Sequence, residues 1–89
     1  MTEQTMLMGY VATVEAIIFA ADKPVREREL RHHIPDEQDM AEIIDLIRQR
    51  FDASCGIELR RVGDGWAFRT RAEIAERLNQ HKQIERPLS

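Results

Sequence analysis

The stretch Gly56-Ile57-Glu58-Leu59-Arg60-Arg61-Val62-Gly63-Asp64-Gly65-Trp66-Ala67-Phe68-Arg69-Thr70 switches the chain from helical to strand periodicity. Ile57 and Leu59 alternate with Glu58 and Arg60, and Trp66, Phe68 and Thr70 alternate with Ala67 and Arg69. Successive side chains of a strand point to opposite faces, so each half carries one apolar row. Gly63-Asp64-Gly65 supplies the turn between them. The stretch reads as an antiparallel hairpin with Trp66 and Phe68 directed at a core.

Upstream of the hairpin the pattern is helical. In a first helix from about Leu7 to Ala21, Leu7, Tyr10, Val11, Val14, Ile17, Ile18 and Ala21 gather on one face. Phe19 falls outside that face, beside Ala12 and Ala16. A one-sided surface helix has no need of this second stripe. Two readings stay open: Phe19 folds onto the domain's own hairpin or last helix, or it anchors a partner. Asp22-Lys23-Pro24 ends the helix. A short second helix, about Arg26 to His32, is anchored by Leu30, with Val25 and Ile34 flanking it and Pro35 ending it. A third helix is expected to start at an Asp36 cap, with Met40, Ile43, Ile44, Ile47 and Phe51 at helical spacing. After the hairpin, Thr70 and Glu73 have capping-box spacing and open a last helix to about His81, anchored by Ile74 and Leu78. The expected division is one domain over residues 1–82 and a linker over 83–89.

Three helices, a two-stranded hairpin and a C-terminal helix make an α+β, mainly helical fold, the winged helix-turn-helix. In such folds the third helix is the DNA-reading element. Here the run from Pro35 to Asp52 holds Asp36, Glu37, Asp39, Glu42, Asp45 and Asp52 against Arg48 and Arg50. Phosphates repel carboxylates and reward Lys and Arg, so a helix of this charge is turned away from duplex DNA and toward protein. Residues 1–52 balance at −5 and residues 53–89 at +2, giving the net −3 of the chain. Only the second part offers a local basic surface, around Arg60, Arg61, Arg69 and Arg71. On the hairpin Arg60 and Arg69 share the outer face, with Arg61 and Arg71 near it. The rival reading is a winged-helix transcription regulator contacting DNA through Arg48, Arg50, Arg60 and Arg61.

Catalytic and metal chemistry find little support. His32 and His33 are helix neighbours about 100° apart and do not converge on one ion, and Cys55 has no Cys-x-x-Cys partner. Cys55 also lacks a specified base, and the third-helix carboxylates sit on a solvated face rather than as a desolvated pair. Gly63-Asp64-Gly65 is followed by no lysine and reads as a turn, not a phosphate cradle. The expectation is a non-enzymatic chain without catalytic residues, cofactor or metal. A single cysteine and no apolar run of membrane-spanning length place it, by the same reading, in a reducing cytoplasm and not in a membrane.

The stretch Val14-Glu15-Ala16-Ile17-Ile18-Phe19-Ala20-Ala21-Asp22-Lys23-Pro24-Val25, the hairpin halves Gly56 to Val62 and Gly65 to Arg71, and the ending Arg86-Pro87-Leu88-Ser89 carry a resemblance. Over about residues 11–89 the chain resembles the N-terminal domain of the segregation and condensation protein B family. That resemblance implies an accessory subunit of the bacterial SMC–kleisin chromosome condensation complex, nucleoid-associated and built from two tandem winged-helix domains. It implies a homodimer formed largely by the N-terminal domain, and binding to the kleisin subunit (ScpA-like) and through it to SMC. A second winged helix would start directly after Ser89. Arg26 departs from the serine-type cap frequent at that position. Tyr10, Val14 and Phe19 of the first helix and Trp66 and Arg69 of the hairpin are the candidate interface residues, with direct DNA binding by this domain not expected.

Overall fold

A computed structural model describes the backbone of residues 3–85 and the side chains of 4–79. The elements are α1 (Glu3–Ala20), β1 (Val25–Arg26), α2 (Glu27–Arg31), α3 (Met40–Arg50), β2 (Ile57–Val62), β3 (Gly65–Thr70) and α4 (Ala72–Glu85). Val11, Val14 and Ile18 of α1 meet Met40, Ile43, Ile44 and Ile47 of α3 in one core, closed by Leu30, Ile34, Leu59 and Trp66. All these side chains are buried, and no buried side chain among the described residues is polar or charged. The hydrophobic effect of this seam, roughly 25 cal/mol per Å² removed from water, is the main source of stability.

The expected hairpin forms, with Leu59 opposite Phe68 and Arg61 opposite Trp66, and its turn is two residues, Gly63 and Asp64, Gly65 being the first residue of β3. Gly63 takes φ +63 while Asp64 stays at negative φ, the pattern of a turn that needs glycine at its first central position. The sheet, however, has a third strand. Val25-Arg26 pairs antiparallel with β3, Val25 opposite Trp66, giving the order β1-β3-β2. A two-residue strand has no periodicity of its own, and this one exists because the chain leaving α1 runs along the edge of β3. At Gly65 it comes so close that a Cβ would lie 3.0 Å from the Pro24 Cβ and 3.1 Å from its carbonyl carbon.

Three boundaries differ from expectation. First, α3 begins at Met40, not after an Asp36 cap. Residues 35–38 close a turn, with the Gln38 N–H donating to the Pro35 carbonyl at 3.0 Å. Arg31 of α2 holds that turn, donating to the carbonyl of Gln38 at 2.7 Å and to those of Pro35 and Asp36 at 3.4 Å. Asp39 is the actual cap, accepting from the Ala41 N–H at 3.0 Å. Asp36, Glu37 and Asp39 therefore precede the helix and Asp52 follows it, leaving Glu42 and Asp45 against Arg48 and Arg50 within it. The expected six-to-two excess of acid on the helix is corrected to an even balance, with the acids early and the arginines in the last turn.

Second, α2 starts one residue late, at Glu27, with Arg26 as its flanking residue. Arg26 has no side-chain acceptor. Glu29 supplies half of a capping box instead, accepting from the Arg26 backbone N–H at 3.0 Å.

Third, α4 starts at Ala72 rather than at a Thr70 cap, and runs to Glu85, past His81 and into the stretch expected as linker. The end of that stretch, 86–89, lies outside the described residues. Ile74 is half-buried, Leu78 is 51% exposed, and neither belongs to the core, so they do not anchor the helix as expected. What ties α4 down is Arg71, the residue before it. Its side chain is only 17% exposed and donates to the Cys55 carbonyl at 2.8 Å, to the Phe51 carbonyl and to the Glu58 carboxylate at 3.3 Å. Its backbone N–H donates to the Gly56 carbonyl at 2.9 Å. One residue thus joins the end of α3, the turn before β2, β2 itself and the start of α4. Inside that turn the N–H and hydroxyl of Ser54 both donate to Asp52 (2.9 and 2.6 Å), holding its carboxyl below the usual carboxylate range, with Arg71 adding to the effect.

Arg71→Ala strands two carbonyls and a carboxylate and should cost about 2 kcal/mol or more in urea unfolding, with Arg71→Lys intermediate. Gly65→Ala should cost about 1–3 kcal/mol through the clash with Pro24, measured the same way.

Candidate functional site

The described surface offers two concave regions built from the residues singled out in the sequence. The first is formed because α1 is held on one side only. Fixing Val11, Val14 and Ile18 in the core turns Ala12, Ala16 and Phe19 outward, and Phe19 is 76% exposed. Among the described residues it does not fold onto the hairpin or α4; the first of its two readings is not what the fold does there. Phe19 instead forms one lip of an apolar groove of about 260 Å³, with Ala12 and Ala16 beside it and Phe51, Ile57 and Phe68 opposite. The Phe51 and Phe68 rings pack with centroids 5.0 Å apart and planes tilted by 57°. A neighbouring hollow of about 250 Å³ continues past Phe19 to Lys23, Arg69 and Thr70. Phe19 and Arg69, fifty positions apart by number, so come to one surface.

Glu15 stands at the wall of this groove. Its Oε2 is buried and makes no aligned hydrogen bond, and the charge that compensates it is the Arg50 guanidinium, with Nε at 2.7 Å. That pair joins α1 to the end of α3.

The other candidate interface residues fall elsewhere. Val14 is 0% exposed and Trp66 7%, so neither has surface to offer a partner, and both are removed from the interface set. Their apolar character marks core; helical phase and strand alternation alone do not say which apolar face stays bare. Tyr10 is half-buried against the core. Ala12 and Ala16, which border the groove, carry only a weak signal as small residues beside an aromatic.

The second region lies where α3 meets the hairpin. Arg48 and Arg61 both lie over the Trp66 ring, 5.0 and 5.4 Å from its centroid. With Arg60 and Arg71 they line a cavity of about 430 Å³, against Asp52 and Glu58. Arg61 is opposite Trp66 and not on the face that carries Arg60 and Arg69, and Arg71 is spent on the clamp. The basic cluster expected around Arg60 and Arg69 is therefore split. Arg50, bound to Glu15, is drawn away from Arg48. His32 and His33 are exposed at the end of α2, Cys55 is half-buried, and no three potential ligands gather around one point among the described residues.

The family model described as segregation and condensation complex subunit ScpB matches residues 12–89. The chain belongs to the ScpB family. Solved structures share its fold. A conserved hypothetical protein from Chlorobium tepidum superposes with a TM-score of 0.73 at 20% identity, covering 96% of this chain and 53% of that one. ScpB from Mycobacterium tuberculosis superposes with a TM-score of 0.68 at 22% identity, covering 93% of this chain and 53% of that one. The chain thus spans about half the length of each. A comparison with curated proteins found no match. No described helix is long and apolar enough to cross a membrane.

Removing one partner of the Glu15–Arg50 pair uncovers a partly buried charge. Arg50→Ala should cost about 1–2 kcal/mol in thermal or urea unfolding, and adding Glu15→Gln should restore much of it.

Proposed function

We propose that this ScpB-family chain is the N-terminal winged-helix domain of a non-enzymatic accessory subunit of the bacterial SMC–kleisin condensation and segregation complex. It works in the cytoplasm on the nucleoid, forms a homodimer, binds the kleisin subunit and through it SMC, and uses no cofactor. The domain runs through α4, which ends at Glu85, and the segment after it leads toward a second winged helix. The observation that carries the reading is the bare second face of α1, with Phe19 76% exposed on the lip of an apolar groove. Monomeric domains seldom leave a large aromatic on a continuous apolar surface without a partner. The occupant is a second copy, whose Phe19 meets the same groove by two-fold symmetry, with Arg69 at the rim.

The rival winged-helix regulator of transcription gains from the even charge of α3 and from Arg48, Arg60 and Arg61 at its end. It is opposed by Asp36, Glu37 and Asp39 at the other end of the same segment, by Glu42 and Asp45 within it, and by Arg50 being engaged with Glu15.

Light scattering over a rising concentration series should show a dimer. Phe19→Ala should weaken it by about 1–3 kcal/mol while leaving the unfolding midpoint of the dilute, monomeric protein nearly unchanged, because the ring is outside the core. A monomer at the highest concentration removes the dimer. Saturable, sequence-selective binding to pooled short duplexes at physiological salt would refute the scaffold reading in favour of the regulator.

A further inference from the structure

Among the described residues the sheet order β1-β3-β2 leaves β2 with one unpaired edge. Its direction follows from the hairpin. Val62 and Gly65 close a two-residue turn and form a hydrogen-bonded pair, and such pairs alternate along an antiparallel ladder. The peptide groups of Leu59 and Arg61 therefore point away from β3. The 430 Å³ cavity at the end of α3 is lined by four consecutive residues of this strand, Glu58 through Arg61. Consecutive strand residues face opposite ways, so a hollow touching all four runs along the strand's edge rather than across one face.

Charge singles out what fits there. Among the described residues Arg48 and Arg61 have no carboxylate partner; each is held by the Trp66 ring, at 5.0 and 5.4 Å. A guanidinium stacked on an aromatic face keeps its in-plane N–H donors free and oriented, the form suited to a carboxylate. Arg60, whose only ion pair among the described residues is a 4.0 Å contact with Glu58, adds a third cation. The hollow also has apolar lining in Phe51 and Leu59.

We infer that this edge of β2 takes up an extended, acidic and aliphatic segment of a partner protein as an added strand. The segment's backbone pairs with the Leu59 and Arg61 peptide groups, a carboxylate meets Arg48 and Arg61, and an aliphatic side chain lies toward Phe51. This rests on the reading of the chain as a protein-binding subunit. It deepens that reading by giving the site and the chemistry of the bound segment. A nucleic-acid backbone is disfavoured because Asp52 and Glu58 line the same hollow and Asp45 lies one turn back along α3. A run of phosphates would pass all three, whereas a single carboxylate beside an apolar residue avoids them.

The test uses the 89-residue chain, labelled for amide NMR, with a pooled set of hexapeptides that combine one or two Glu with Leu and Ile. Expected are saturable shifts and slowed exchange at the Leu59 and Arg61 amides, with a change in the fluorescence of Trp66, the single tryptophan. Replacing Glu by Gln in the peptides, or Arg48→Gln with Arg61→Gln in the protein, should weaken binding at least tenfold. Arg48→Lys with Arg61→Lys should fall between, since charge survives but the two-pronged donor does not. Equal binding of the Gln peptides, no protection of Leu59 and Arg61, or tighter binding of a short DNA duplex at the same cavity would each overturn the inference. Phe19 lies on the other groove, so the light-scattering result reports the dimer independently. A dimer that ignores the peptides overturns only the present inference.

Discussion

Everything in this domain is arranged by the seam between α1 and α3. Val11, Val14 and Ile18 must face Met40, Ile43, Ile44 and Ile47, since no other arrangement removes so much apolar surface from water. That requirement sets the rotation of α1, and with it the outward direction of Phe19. It also sets the position of the last turn of α3 over the hairpin, and so brings Arg48 to the Trp66 ring. The apolar groove and the cationic hollow are both consequences of how one helix pair is clamped.

Polar groups then lock the loops that burial leaves loose. Arg31 holds the turn before α3, Arg71 holds the turn after it, and Arg50 ties its end to α1 through Glu15. Each guanidinium gathers carbonyls or a carboxylate, Arg31 from the turn just after its helix and Arg50 and Arg71 from segments distant in the chain, which its several fixed donors allow. These arginines were available in the sequence as basic charge. Their use as struts, rather than as a surface for phosphates, depends on which acceptors the fold sets within reach. The same is true of the acids ahead of α3: once Arg31 closes the 35–38 turn, three of them leave the helix and its charge changes.

The periodic elements were legible because burial acts on them directly. The α3 core positions and the alternation of the hairpin follow from apolar residues repeating at the period of their element, while the register that sets Trp66 against Arg61 comes from the two-residue turn of the fold. The short β1 strand was not legible, since two residues show no period. Nor was the start of α4: Thr70 and Glu73 have the spacing of a cap, but Arg71 offered more bonds one residue later. Of the candidate interface residues, Phe19 and Arg69 meet at one surface, while Val14 and Trp66 are core. Apolar identity alone does not separate those two fates.

What the sequence by itself determined is the order of the helices and the two hairpin strands, the apolar faces that had to be buried and the turn at Gly63. These are local properties, written in spacing and in backbone freedom. The tertiary structure alone decided which face of α1 stays bare, which arginines are spent on carbonyls and which stand unpaired on Trp66, and which edge of the sheet is open. Those outcomes depend on distances between residues far apart in the chain, and no local pattern encodes them.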